Sequence, residues 1–424
     1  MSQLGTTAQA ATGKMTRARW IQIGLPLLIL FTVSMIDKSN INILLANKPF
    51  LQDLGIKDGA IKGTLSSIFL ITYAIGQFGW GFVVDRIGAC KSGLIGIFFW
   101  VVAMVLGGMA ESVSALFWSR SILGLSEGVL YPIALTLTAK WFPANEQAKA
   151  QALWFNGNSL GPVIGLPIIA IVAQNYGWRE SYHALGAVSL LCLVMFWLMV
   201  RNSPGEHRAV NAAEKEYIEK GASTVKKEIA DTGEVKEVLK NPIFWMLVAV
   251  YGCVSIGFFG ISTFLPSYLT EVKQVPFVQS AFVNAAGYGL AILVQMGSGF
   301  LSDKIMKRAV FVGGASALII IFLLLSMFTS SVMGAQLLSI LLISVLLMPA
   351  ALTMTMLHKV ASPRVMGRIG GIFGSVSYAL AAVGPIVVGA VSQASGSYTG
   401  GFLALMSFIV ISLVLCLVLM RKGY

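Results

Sequence analysis

The chain has 424 residues, of which 56% are hydrophobic and 11% are charged, and it carries a formal net charge of +12. A soluble domain has about 25% charged residues, so this composition excludes an ordinary soluble fold and indicates a membrane protein. The basic residues are dispersed over short segments between apolar windows, which argues against nucleic-acid binding.

Apolar windows of about 20 residues recur along the whole chain, which is the length that an α-helix needs to cross roughly 30 Å of hydrocarbon. The windows lack strand alternation, and backbone in lipid must satisfy its own hydrogen bonds, so the predicted fold is all-α. Twelve spans are predicted, numbered in chain order: 20–45, 61–84, 92–111, 114–139, 150–174, 182–201, 242–270, 279–301, 309–328, 334–357, 368–393 and 400–420.

Charge asymmetry predicts the orientation of these spans. Residues 1–19 contain Lys14, Arg17 and Arg19 without a cleavage-site pattern, so this segment is expected to stay in the cytoplasm. Most other basic residues then fall in cytoplasmic loops. The outer loops hold Lys48, Lys57, Lys62, Arg179 and Lys273. We therefore expect a multi-pass protein of the cell inner (plasma) membrane, with a cytoplasmic N-terminus and a cytoplasmic tail at 421–424.

The polar segment 202–241 divides the spans into two sets of six, at 20–201 and 242–420. It is predicted to be a cytoplasmic loop with one surface helix between Ala212 and Lys220. Two pairs of motifs repeat at nearly one offset. Residues 81–86 after span 2 match 299–304 after span 8, and 161–165 in span 5 match 384–389 in span 11. The repeats predict two pseudo-symmetric six-helix bundles that rock around a central site.

Four charged residues interrupt the apolar spans of the first half: Asp37 and Lys38 in span 1, and Arg120 and Glu127 in span 4. Arg120 and Glu127 are two helical turns apart and share one helix face. Each charge costs roughly 2.5–3.5 kcal/mol at the centre of a span. The four charges are interpreted either as structural ion pairs, Asp37 with Arg120 and Lys38 with Glu127, or as a site where a base binds an anion and a carboxylate carries a proton.

The segment 81–91, Gly-x-x-x-Asp-Arg-x-Gly-x-x-Lys, resembles the loop signature of the major facilitator superfamily, and 299–308 resembles its second copy. The resemblance implies the fold of that superfamily. Asp85, Arg86, Asp303 and Lys304 can pair across the two halves and latch one conformation, or they can serve as topology anchors alone.

Further motifs resemble the anion:cation symporter family within that superfamily. They are Ile36-Asp37-Lys38-Ser-Asn40, Arg120-x-x-x-Gly124-x-x-Glu127, Trp141-Phe142-Pro143 and Phe264-Leu-Pro266-Ser-Tyr268-Leu. This family takes up sugar acids and other organic carboxylates. The resemblance implies that Asp37 and Glu127 couple protons, that Arg120 partners Asp37, and that Lys38 contacts the anion.

The same resemblance places substrate contacts at Tyr73, Asn158 and Tyr378. Lys38 stands where bacterial members usually have arginine, and it lacks the planar fork that grips a carboxylate through two hydrogen bonds. The second half has no charge within its spans. Polar groups there, such as Asn284, Tyr288, Gln295, Thr353 and Thr355, are each more typical of a hydrogen bond between helices than of a ligand contact.

The predicted function is import of a small organic anion with protons by a monomer in lipid. The alternatives are proton-driven efflux, since 157–165 resembles the glycine-proline pattern of drug antiporters, and antiport of phosphate esters. A transporter-like receptor would carry a long soluble output domain, which the polar segments do not offer. The sequence has no nucleotide-binding loop, metal cluster or nucleophile–base spacing, so neither an enzyme nor a cofactor or metal is expected.

Overall fold

The computed structural model describes residues 15–226, 233–305, 307–357, 359–361 and 365–424. Residues 1–14 of the predicted N-terminal segment and 227–232 of the central segment lie outside the described residues. The described part contains twelve helices long and apolar enough to cross a membrane, which confirms the predicted number. They are Trp20–Leu44, Gly59–Ile87, Ala89–Gly108, Val113–Trp141, Asn145–Asn175, Trp178–Met199, Pro242–Val272, Phe277–Ser302, Arg308–Phe328, Val332–Leu357, Arg368–Ser395 and Tyr398–Arg421.

The two halves repeat one packing pattern. Span 1 packs against span 5, span 2 against span 4, and span 3 against span 6. In the second half, span 7 packs against span 11, span 8 against span 10, and span 9 against span 12. This repetition confirms two pseudo-symmetric six-helix bundles. The halves meet where span 2 packs on span 11, span 5 on span 8, and span 1 on span 7.

The repeated glycine-proline motifs account for the close contacts of span 5 with span 1 and of span 11 with span 7. A Cβ atom at Gly161 in span 5 would lie 2.5 Å from the carbonyl oxygen of Thr32 and 2.7 Å from Cβ of Met35, both in span 1. The matching residue in span 11, Gly384, would meet the backbone of Ile256 in span 7 in the same way. Glycine at both positions lets the backbones approach directly, as small residues do in membrane helix pairs. In the first half this contact lies two residues from Asp37.

The halves are joined at the predicted outer face by a group of contacts that we call the outer seal. The Ser67 hydroxyl in span 2 donates to the carbonyl of Ala382 in span 11 at 2.7 Å. The Ser267 hydroxyl in span 7 donates to the carbonyl of Leu45, next to the end of span 1, at 3.0 Å. Each bond joins a serine side chain of one half to the backbone of the other, so the predicted outer side of the bundle is closed in this structure.

An ion pair completes the outer seal. The Lys62 ammonium, in span 2, lies 3.1 Å from Glu271 Oε1 in span 7. The Tyr398 hydroxyl donates to the other oxygen of Glu271 at 2.8 Å. At the next residue, a Cβ atom at Gly63 would overlap the carbonyl of Pro385 in span 11. The seal therefore combines a charged contact with a backbone approach that only glycine permits.

On the opposite face, a buried carboxylate ties the central segment to the first half. Glu214, in the helix Ala212–Lys226, is fully buried and accepts hydrogen bonds from the backbone of Ala18 and from the Arg19 guanidinium at 2.7 Å. Arg19 also donates to Glu146, at the start of span 5, at 2.8 Å. This network links the entry to span 1, the start of span 5 and the central helix.

The outer seal yields a testable expectation. Gly63→Val is expected to push span 2 away from span 11 and to raise, by about tenfold or more, the rate at which a cysteine introduced at Ser66 reacts with a bulky maleimide in detergent. Ser66 is 5% exposed and lies in span 2 between the seal residues Gly63 and Ser67. The matched control is Gly79→Val in the same span, where an added Cβ meets nothing within 4 Å. Equal labelling rates in the two variants would contradict a seal held by close backbone contact.

Candidate functional site

The central interaction of the site is an ion pair between spans 1 and 4. The Lys38 ammonium lies 3.5 Å from Glu127 Oε2, and the Ser34 hydroxyl donates to the same oxygen at 2.6 Å. Ser34 and Lys38 are one helical turn apart, so one face of span 1 presents both groups to Glu127. Glu127 is fully buried and Lys38 is 9% exposed. The predicted pairing of Lys38 with Glu127 is present.

Span 4 is interrupted directly after Glu127. Its helix runs from Val113 to Glu127 and resumes at Leu130. Pro132 cannot donate the hydrogen bond that the carbonyl of Gly128 would accept in a continuous helix, which accounts for a break at this point. The interruption places the carboxylate of Glu127 at a helix end facing span 1.

Asp37 lies on the other side of span 1, inside the first half. It is fully buried and accepts a hydrogen bond from the indole of Trp100 in span 3 at 2.5 Å. The Ser189 hydroxyl in span 6 lies 3.5 Å from the same oxygen. Arg120 donates to the backbone carbonyl of Asp37 at 3.4 Å, and no ion pair between the two side chains is found among the described residues. The predicted partnership of Arg120 with Asp37 is therefore a contact to the backbone, because Trp100 and Ser189 hold the carboxylate.

Aromatic rings of span 2 flank both cations. The Lys38 ammonium lies 4.3 Å from the ring centre of Tyr73 and 5.8 Å from that of Phe69. The Arg120 guanidinium lies 4.7 Å from the ring centre of Phe69. Cation–π attraction is stronger where water is excluded, so these rings stabilise two cations with few other partners. Lys38 and Arg120 therefore both contact the ring of Phe69.

A small cavity between the halves opens beside these two cations. The volume of the cavity is ≈ 20 Å³, which holds about one water molecule. The cavity is therefore too small for an organic substrate in this conformation. The first half contributes Met35, Lys38, Ser39, Asn42, Ser66, Phe69, Leu70 and Arg120, and the second half contributes Phe258, Phe259, Ser262, Thr263 and Tyr288. Within the described chain, Arg120 Nε and the hydroxyl of Ser66 have no hydrogen-bond partner. The cavity therefore offers unused donors to an anion.

The other predicted substrate contacts lie outside the lining of this cavity. Tyr73 packs on Tyr378 with ring centres 5.0 Å apart. Tyr131 interacts with both Asn158 and Tyr378. Tyr73, Tyr131, Asn158 and Tyr378 come from spans 2, 4, 5 and 11, so their contacts connect the two halves. They lie on the side of Lys38 away from the outer seal. We call Tyr73, Tyr131, Asn158 and Tyr378 the tyrosine layer.

The predicted latch residues are not brought together in this structure. Asp85 and Arg86 are exposed at the end of span 2, and neither makes an ion pair within the described part of the chain. Lys304 is exposed, and the side chain of Asp303 lies outside the described residues. An ion pair that joins the halves, Lys62 with Glu271, is at the opposite face. The latch at residues 85, 86, 303 and 304 stays a prediction.

Several site residues carry no clear signal in the sequence. Trp100 and Ser189 hold Asp37, and Ser34 holds Glu127, yet isolated tryptophan and serine residues are ordinary in membrane spans. Of the second-half polar groups considered, Tyr288 lines the cavity. Asn284 and Thr353 instead bond to carbonyls one turn back in their own helices.

A family model described as Major Facilitator Superfamily matches residues 27–385. A Bacillus subtilis protein named "Probable galactarate/D-glucarate transporter" is 26% identical, over 92% of this chain and 89% of its own length. A Cupriavidus necator protein named "Probable sulfoacetate transporter" is 27% identical, over 87% of this chain and 86% of its own length.

A solved structure has the same fold. The bacterial homologue of the human lysosomal transporter Spinster, in an inward-facing and unoccupied conformation, superimposes with a TM-score of 0.81 and 18% sequence identity. The match covers 97% of this chain and 98% of that chain.

The Lys38–Glu127 pair leads to a prediction for stability. Lys38→Met is expected to cost about 3–5 kcal/mol of unfolding free energy, because it leaves a buried carboxylate without its cation. Glu127→Gln leaves the opposite charge unpaired, and the double variant should recover a large part of the loss. Thermal unfolding in detergent measures all three.

The control for this cycle is Lys215→Met, whose partner Glu219 lies 4.0 Å away on an exposed helix face. Exposed pairs contribute little, so this variant should unfold close to the wild-type temperature. Additive losses in the Lys38→Met/Glu127→Gln double variant would show that the two charges do not stabilise one another.

Proposed function

The chain belongs to the major facilitator superfamily, and we propose that this transporter imports a small organic anion together with protons by alternating access. Its relatives named for galactarate, D-glucarate and sulfoacetate support an organic anion as the substrate. The observation that carries the proposal is the Lys38–Glu127 pair beside a small cavity between the halves. The protein would lie in the inner membrane with both termini in the cytoplasm.

Charge balance supports coupling between the anion and a proton. Asp37, Lys38, Arg120 and Glu127 sum to zero charge, and all four are at least nine-tenths buried. An anion that binds Lys38 competes for the cation that now pairs with Glu127. A buried carboxylate without a partner is costly, so a proton taken up by Glu127 restores neutrality. Anion and proton would thus enter in one step.

Carboxylate oxygens without a hydrogen-bond partner support Glu127 and Asp37 as the proton sites. Glu127 Oε1 and Asp37 Oδ1 are buried, and neither has a hydrogen-bond partner among the residues that the structure describes. Each oxygen can accept a proton without breaking an existing bond. Glu127 contacts the substrate-side cation directly, whereas Asp37 reaches Arg120 only through the backbone. We therefore assign the coupling step to Glu127 and a secondary proton site to Asp37.

Alternating access would exchange the outer seal for contacts at the other face. In the described state, the outer seal joins spans 1 and 2 to spans 7 and 11. Opening toward the outside must break the Lys62–Glu271 pair and the Gly63–Pro385 contact. The predicted latch residues Asp85, Arg86, Asp303 and Lys304 would then meet at the cytoplasmic face. Tyr73, Asn158 and Tyr378 would contact the substrate on its way through the tyrosine layer.

The competing functions receive less support. The glycines of 157–165 are accounted for by the packing of span 5 on span 1, so they do not favour a drug antiporter. Two cations line the cavity, which opposes a cationic drug. A phosphate-ester antiporter would use paired cavity arginines, and the described lining contains Arg120 alone.

Removing the coupling carboxylate should separate binding from accumulation. Glu127→Gln in proteoliposomes is expected to abolish accumulation driven by a proton gradient while retaining exchange of labelled for unlabelled anion. Lys38→Met should weaken anion binding by about 10- to 100-fold, because a charged hydrogen bond is lost. Lys38→Arg should restore binding. Proton-driven accumulation by Glu127→Gln at the wild-type rate would contradict the proposed coupling mechanism.

The substrate and the direction of transport are tested separately. A thermal-shift screen of the purified protein against monocarboxylates, dicarboxylates, sugar acids and sulfonates should show stabilisation by at least one anion, since a ligand of the native state raises the unfolding temperature. Inside-out vesicles with a proton gradient should not load that anion if the protein is an importer. Loading would assign export instead.

A further inference from the structure

The two walls of the cavity differ in charge. Both cations, Lys38 and Arg120, belong to the first half. The facing wall, from spans 7 and 8, presents the hydroxyl-bearing Ser262, Thr263 and Tyr288 together with Phe258 and Phe259. The cavity is therefore cationic on one side and hydroxylated and aromatic on the other.

The two cations also contact one aromatic ring and line one cavity. Both lie over the ring of Phe69, with Lys38 Nζ at 5.8 Å and Arg120 Cζ at 4.7 Å from its centre. Arg120 Nε and Ser66 Oγ have no hydrogen-bond partner within the described residues, and both residues line the cavity. Lys38, Arg120 and Ser66 can thus bind the oxygens of one anionic group.

A second anionic group would find no cation among the described residues of the facing wall. The basic and acidic residues of spans 7 to 12 lie near the span ends in the sequence. The closest along span 7, Glu271, is eight residues from Thr263, or about 12 Å along a helix. It is negative and already pairs with Lys62. A carboxylate at the far end of a substrate would be buried against hydroxyls and phenyl rings without a counter-ion.

From this asymmetry we propose that the substrate carries all of its negative charge at one end. The anionic group would bind Lys38, Arg120 and Ser66, and an uncharged, hydroxylated end would face Ser262, Thr263 and Tyr288. The inference rests on the proposed function and narrows its substrate class to single-headed anions. It separates this chain from carriers of dicarboxylates such as galactarate, which has a carboxylate at each end.

Pairs of acids that differ in one terminal group provide the test. Galactonate and galactarate, gluconate and glucarate, and butyrate and succinate each share a chain length and differ by a second carboxylate. In thermal-shift titrations and in competition for counterflow, the single-headed member of a pair should bind about 50-fold more tightly or better. Equal or tighter binding of the dicarboxylate member would overturn the inference while leaving organic-anion transport intact.

A variant that adds the missing cation provides the converse test. Thr263→Lys places an ammonium on the facing wall and should raise affinity for the dicarboxylate member relative to the single-headed one by about tenfold or more. Thr263→Met matches the added length without charge and should give no such gain. If no member of any pair binds the wild-type protein, the proposed function fails and this inference fails with it.

Discussion

A charge in the hydrocarbon of a membrane must have a partner, and the Lys38–Glu127 pair meets this constraint at the centre of the first half. Ser34 and Tyr73 complete the surroundings of the pair, and the break in span 4 places Glu127 against span 1. The close approach of span 5 at Gly161 packs the other side of span 1. These contacts together fix the position of Lys38.

The scaffold is symmetric, whereas its chemistry is not. Gly161 and Gly384 perform the same packing role in the two halves, and the span contacts repeat six spans later. The charges that lie deep within the spans, away from their ends, occur in the first half only, by sequence. Two similar bodies are thus packed around one cavity, and one of them holds the four buried charges. The other supplies hydroxyl and aromatic surface to the shared cavity.

The sequence predicted the number of spans and the four buried charges because both depend on one-dimensional properties: hydrophobic length, and charges within it. Span boundaries differ by several residues where polar helix ends continue beyond the apolar window, as in span 5, which begins at Asn145 rather than 150. The contact between Arg120 and the backbone of Asp37 could not be predicted, since it depends on which neighbour reaches the carboxylate. Trp100 reaches it from span 3. Ser262 and Thr263 gave no signal either, because hydroxyl residues in membrane helices usually bond their own backbone.

The zero sum of the four buried charges has a consequence for the energetics of the proposed transport cycle. A charge that crosses the membrane is driven or opposed by the voltage, at about 2.3 kcal/mol per elementary charge per 100 mV. The empty site is neutral, and a site loaded with one monovalent anion and one proton is neutral as well. Both crossings are then indifferent to voltage, so the pH gradient and the anion gradient alone would set how far the anion accumulates. A second proton, held on Asp37, would make each loaded crossing electrogenic.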